Sequence, residues 1–141
     1  MNSVTTINDQ ILQLATTVSK QTDELLVKEL GLSHSQYRVL LALEWNPRAQ
    51  QKTIATHLGI TEASVSRQVK LLSGSRLISV KQDATNRRVH IIAVTPLGMQ
   101  QTEAATALIR RTYDSAYSGI GPARLQVLTH ELQHLQAALN S

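Results

Sequence analysis

His130-Glu131-Leu132-Gln133-His134 stands in the order H-E-x-x-H. On a helix this spacing puts two imidazoles on one face, and the glutamate beside them can act as a base, which is the chemistry of zinc-assisted hydrolysis. A catalytic zinc needs a third protein ligand and an open position. The stretch that follows, "LQAALNS" up to Ser141, offers no His, Asp or Glu. The five-residue order arises by chance about once in a hundred chains of this composition. A zinc metallohydrolase is therefore a remote alternative, and neither catalytic residues nor a cofactor are expected. Two histidines four apart can still share a divalent metal if a second copy supplies the third ligand.

A second group is basic. Arg48, Lys52, Arg67, Lys70, Arg76, Lys81, Arg87 and Arg88 are opposed between residues 48 and 94 by Glu62 and Asp83 alone, a net +6 in a chain of net +4. The rest of the chain then carries −2. A basic middle between near-neutral flanks implies a polyanionic partner for the middle. A solvated basic face is the alternative reading of charge alone.

The elements that must hold these residues follow from the apolar pattern. Ile7, Ile11, Leu14, Val18 and Leu25 recur at helical steps, predicting a long helix over 5–30 with Gly31 as its C-terminal cap. Ser33 and Gln36 have capping-box spacing, so a second helix starts there and stops before Asn46-Pro47. A short helix is expected over 50–58, ending at Gly59. Another follows over 62–73, capped by Thr61 and closed by Gly74. The period then changes. Residues 77–80 and 89–94, rich in β-branched side chains, bracket "QDATNRR" as a two-stranded hairpin. Thr95-Pro96 opens a helix to about Ser118, and a last helix fills 122–140. The fold class is mainly α with a small β-hairpin.

With 141 residues the chain has one domain's length, 3 % aromatics and no Phe, so its core is aliphatic. It has no Cys, which excludes disulfides and thiolate chemistry. "MNSVTTINDQILQ" has no basic and apolar leader pattern, and no apolar run approaches the ~18 residues of a membrane span. A cytoplasmic protein without a membrane partner is expected.

Thr53 to Leu72, "TIATHLGITEASVSRQVKLL", has helix-turn-helix organisation. Ala55 allows close helix approach, and Gly59 suits the turn. Ile54, Leu58, Ile60, Val65, Val69 and Leu72 form the inner face. Ala63, Ser66, Arg67 and Lys70 fall on the opposite side, with Ser64 at its margin. Such a face fits the major groove: small residues let the helix approach, Arg can donate twice to guanine, and Lys meets phosphate. Arg87 and Arg88 at the far end of the hairpin loop suit a narrow minor groove, with Asp83 expected to hold one of them. The outer helices carry apolar stripes. Leu125, Leu128, Leu132, Leu135 and Leu139 make one seam, with His130 and His134 behind it, so a homodimer is expected.

Leu58-Gly59-Ile60-Thr61, Val65-Ser66-Arg67, Leu77-Ile78, Asp83…Asn86-Arg87-Arg88 and Val94-Thr95-Pro96-Leu97-Gly98 together resemble the MarR family of winged-helix regulators over the whole chain. The resemblance implies a winged helix-turn-helix lobe over 33–95, flanked by dimerisation helices over 1–31 and 96–141. It also implies a homodimer on pseudo-palindromic operator DNA, usually a repressor, and often release by a small anionic or phenolic effector. Three positions depart from the pattern: Arg76 and Asn86 stand where Gly and Asp are usual, and Val80 where Arg is common.

Lys52, Thr61, Ala63, Ser64, Ser66, Arg67, Lys70, Arg87 and Arg88 are the expected DNA-binding residues, with Asp83 and Asn86 supporting the wing. The family places effectors between the dimerisation helices and the DNA-binding lobe, near His34, Tyr37, Arg38 and Trp45. Core packing and surface polarity explain those four as well. A regulator that senses metal through His130 and His134 is the alternative within the same class.

Overall fold

The computed structural model describes residues 2–141. Six helices and one hairpin follow in the order α1 (Ser3–Leu30), α2 (His34–Trp45), α3 (Gln51–Leu58), α4 (Glu62–Gly74), β1 (Ile78–Gln82), β2 (His90–Val94), α5 (Pro96–Ser118) and α6 (Pro122–Leu139). They form two compact units, one ending at Ala105 and the other running from Thr106 to Ser141.

Local chemistry starts and stops these helices. Asn2 Oδ1 accepts from the Val4 amide at 2.9 Å, which begins α1 two residues before the sequence pattern does. Ser33 and Gln36 form both bonds of the capping box at the start of α2. Thr61 Oγ1 accepts from the Ser64 amide at 3.0 Å and opens α4. Pro96 takes the first position of α5, where its missing N–H costs no hydrogen bond.

The first unit's core is aliphatic, as the scarcity of aromatics requires. Leu26, Leu32, Val39, Leu40, Leu43, Ile54, Val65, Leu72 and Ile92 are fully buried. They come from α1, α2, α3, α4, β2 and the turn before α2, so α2 is enclosed by its neighbours. Trp45 was expected beside this core, yet it is 72 % exposed. It lies on the last turn of α2, where its ring stands edge-on to that of His57 on α3, with centroids 6.2 Å apart.

Helices α3 and α4 end alike. After α3, the Ile60 amide donates to the Ala55 carbonyl and the Gly59 amide to Thr56. After α4, Leu77 donates to Leu72 and Arg76 to Ser73. Both are Schellman closures, which need one residue in the left-handed region. In the first that residue is Gly59, at φ 67°; in the second it is Arg76, at φ 62°. Gly74, the sequence-based choice for this cap, lies inside α4, because the register of the closure puts the left-handed residue two positions later. A side chain there costs about 1–2 kcal/mol relative to glycine.

The hairpin and α5 meet the end of α4 at one point. The strands pair antiparallel from Ile78↔Val94 to Gln82↔His90, two residues further along β1 than the β-branched run suggests. At their root the Thr95 amide donates to the Leu77 carbonyl at 3.0 Å. The Thr95 hydroxyl donates to the Arg76 carbonyl at 2.7 Å and accepts from the Gly98 amide at 3.0 Å. Gly98 is buried, and a Cβ there would fall on the Leu77 carbonyl oxygen and lie 2.7 Å from Val94 Cγ1.

In the second unit the Tyr113 and Tyr117 rings lie 6.2 Å apart, and Gly121, at φ 93°, turns the chain into α6. Helix α6 buries none of its residues. Leu128, Leu132, Leu135 and Leu139 are all exposed, the last by 74 %. Among the described residues no helix is long and apolar enough to cross a membrane.

Two substitutions test this account with opposite signs. Gly98→Ala should lower stability by about 1–3 kcal/mol through overpacking, although alanine is the better helix former. Arg76→Gly should raise it by about 0.5–1 kcal/mol, the relief of the left-handed strain less the extra freedom of the unfolded chain. Urea unfolding of the two variants measures both.

Candidate nucleic-acid interface

Helix α4 turns Val65, Val69 and Leu72 inward. Ala63, Arg67 and Lys70 are exposed on its other side, and Ser64 and Ser66 are half-buried at its margins. Alanine 63 leaves this face free of bulk near its start. Thr61 is exposed too, but its hydroxyl is engaged as the helix cap. Arg67 and Lys70 lie three residues apart, so both charges project from one strip of the helix.

The hairpin loop is closed by its own backbone. The Asp83 amide donates to the Val89 carbonyl at 2.9 Å, and the Val89 amide to the Asn86 carbonyl at 3.0 Å. Asn86 Oδ1 also accepts from the Arg88 amide at 3.1 Å, which adds a side-chain bond to the turn. Asp83 behaves differently from the expectation that it would hold an arginine. Its Oδ1 accepts from both the amide and the hydroxyl of Thr85, each at 2.9 Å. Two residues' separation lets a short carboxylate close an Asx turn on its own backbone before it can reach outward. These hydrogen bonds, the amide's first, hold the Asp83 carboxyl below its ordinary range, and Arg48 adds a weaker pull the same way. Arg87 and Arg88 are left exposed at the tip.

Two clefts join the wing to the helices. One, of about 310 Å³, is lined by Lys52, Glu62, Arg88 and His90, with Gln50 and Gln51. The other, of about 340 Å³, is lined by Gln51, Val69, Lys70, Ser73, Val80 and His90. The predicted residues Lys52, Arg88 and Lys70 thus border adjoining spaces, while Arg87 lines neither. Gln51 and His90 belong to both and were missed by the sequence reading. Strand alternation carried the signal for His90. It lies two residues from Ile92, which is fully buried, and so shares that residue's face of the hairpin.

A third, open cleft of about 640 Å³ lies between α1 and α2, with Ala15, Thr16 and Ser19 on one side and Lys20, Asp23, His34, Ser35 and Arg38 around it. The His34 amide donates to Asp23 Oδ1 at 2.9 Å. Burial first, and then the Arg38 charge, hold the His34 imidazole below its ordinary range, against a smaller opposite pull from Asp23. Tyr37 is buried in the core and Trp45 borders a separate apolar pit of about 100 Å³, so the four predicted effector residues do not converge on one cleft. His130 and His134 are exposed on α6, and among the described residues no three His, Cys, Asp or Glu stand together as a metal-binding group.

A two-stranded wing set beside an exposed basic helix defines a winged helix-turn-helix fold. The chain matches the profile described as "MarR family" over residues 30–89. It is 24 % identical over 113 residues to the HTH-type transcriptional repressor IacR of Pseudomonas putida, spanning 80 % of this chain and 68 % of that protein. Its fold matches the transcriptional regulator BldR from Sulfolobus solfataricus, with a TM-score of 0.88 at 20 % identity over 98 % of this chain and 99 % of that one. It also matches CouR from Rhodococcus jostii RHA1, solved bound to p-coumaroyl-CoA, with a TM-score of 0.81 at 22 % identity over 92 % and 90 % of the two chains.

The wing turn has a pH dependence whose sign follows from Asp83. Its folded-state carboxyl is more acidic than in the unfolded chain. The turn bonds are therefore present above the ordinary aspartate range and are lost as pH falls through the depressed value. Asp83→Ala should remove them at neutral pH. Hydrogen exchange at the Thr85 amide should quicken, while the melting temperature stays where it was, because the turn lies outside the core.

Proposed function

We propose that this regulator binds double-stranded DNA as a homodimer and represses transcription from a pseudo-palindromic operator. The observation that carries the reading is the exposed face of α4, on which Ala63, Arg67 and Lys70 stand open while the apolar side is buried. In this reading Arg67 and Ser64 meet base edges in the major groove, and Ser66, Lys70 and Lys52 meet phosphates. Thr61 and Ala63 set the close approach at the start of the helix. Arg87 and Arg88 reach the minor groove from the wing.

The dimer rests on unpartnered apolar surface. The leucines of α6 are exposed, as are Val4, Ile7, Leu12 and Leu14 on α1. A second copy supplies the same apolar stripes as partners, and a two-fold axis then sets the recognition helices about 34–36 Å apart, one turn of B-DNA. The cleft between α1 and α2 suits a small anionic effector. Lys20 and Arg38 supply positive charge there, and His34 donors, opposed by Asp23 alone. Such a ligand releases DNA only to the extent that it binds the non-binding arrangement more tightly.

Arg67→Ala should weaken operator binding by about 1–3 kcal/mol and flatten the preference at one base pair of each half-site. Arg87→Ala should weaken all sequences alike and lower the salt slope by roughly one. A gel-shift series over operator variants separates the two, and an Arg67→Ala protein with unchanged affinity and selectivity would overturn the assigned face. Replacing Leu128 and Leu132 with Glu should give a monomer in sedimentation. A dimer of unaltered strength would refute the leucine seam.

A further inference from the structure

We infer that His90 is a further DNA contact: its imidazole, set where the wing meets the helices, binds a backbone phosphate in protonated form, so that duplex binding takes up a proton. The inference rests on the DNA-binding reading above and goes beyond it, because it adds an imidazole to a set of contacts that holds no histidine.

The argument starts from the hairpin register. His90 pairs with Gln82 at the open end of the ladder and shares a face with Val80 and Ile92. Ile92 is fully buried, Val80 is 42 % exposed, and His90 is exposed. The face therefore emerges from the core as it runs toward the wing tip, and His90 is its outermost side chain on β2. It borders both clefts, one with Lys52, Glu62 and Arg88, the other with Lys70. The charged groups around it are thus three cations and one carboxylate, drawn from α3, α4 and the wing loop. Lys81, its neighbour on β1, pairs with Ile91 and so lies on the other face of the hairpin. Helix α2 also packs on β2 but sends no charged residue into either cleft.

A space bordered by three permanent cations draws a phosphate oxygen. Imidazole is the side chain whose ordinary charge change falls between pH 5 and 8. A phosphate placed beside it favours the charged form. Binding and protonation are then linked, and affinity rises as pH falls, by up to about tenfold per pH unit for one proton.

The test is fluorescence anisotropy on the full chain with a random-sequence duplex of about three helical turns, at pH 6, 7 and 8 and fixed ionic strength. Parent, His90→Gln and His90→Lys proteins are compared, so that the other histidines contribute equally to all three. The parent should bind more tightly at pH 6 than at pH 8, and His90→Gln should lose about three- to tenfold of that gain. His90→Lys should keep the contact at every pH, with the shallower profile of the glutamine variant and higher affinity at pH 8. In the parent alone the salt slope should steepen by about 0.9 between pH 8 and pH 6. A His90→Gln profile that parallels the parent's overturns the inference and leaves the DNA-binding reading intact. If no protein of the three binds the duplex at any pH, the DNA-binding reading itself fails and the inference falls with it.

Discussion

The contact between the Leu77 carbonyl and the first turn of α5 fixes the geometry of everything that meets DNA in this account. Leu77 ends the closure of α4 and leads into β1, and its carbonyl accepts from the Thr95 amide at the exit of β2. Gly98 permits the approach, since any side chain there would displace that carbonyl. Three elements are thereby pinned at one place: the end of α4, the root of the wing and the start of α5. The wing is joined to α4 by hydrogen bonds at its root, so the helix and the base of the hairpin keep a fixed relation. Any movement of the first turn of α5 is felt by both together.

The same junction carries the chain's one departure from easy backbone geometry among non-glycine residues that are described. Gly59 and Arg76 occupy equivalent places in two equivalent helix closures. The first has the residue the conformation favours; the second has an arginine held there by the Thr95 hydroxyl on its carbonyl. The surrounding bonds over-determine the conformation, which is how a strained residue persists. The structure offers no side-chain contact that explains why arginine stands at this position.

Much of the architecture was legible because it is set by local chemistry. Ser33 with Gln36, Thr61, Gly31, Gly59 and Thr95-Pro96 announce helix ends through hydrogen bonds between near neighbours, and each acts as its residue type implies. The inner face of α4 follows from periodicity alone. What escaped the sequence depends on distance in space. Trp45 looks like core on composition, but its ring stands exposed beside His57 at the end of α2. Asp83 next to two arginines reads as an ion pair, whereas the nearer donors of Thr85 win. His90 looks like one more strand residue until the clefts on either side of it show what it borders.

The central claim is that α4 reads specific base pairs from a two-fold dimer. Selection of bound duplexes from a random DNA pool tests it most directly. The account predicts an inverted repeat whose half-sites are centred about one helical turn, roughly 10 base pairs, apart. Recovery of single half-sites, of direct repeats, or of no shared sequence at all would contradict it.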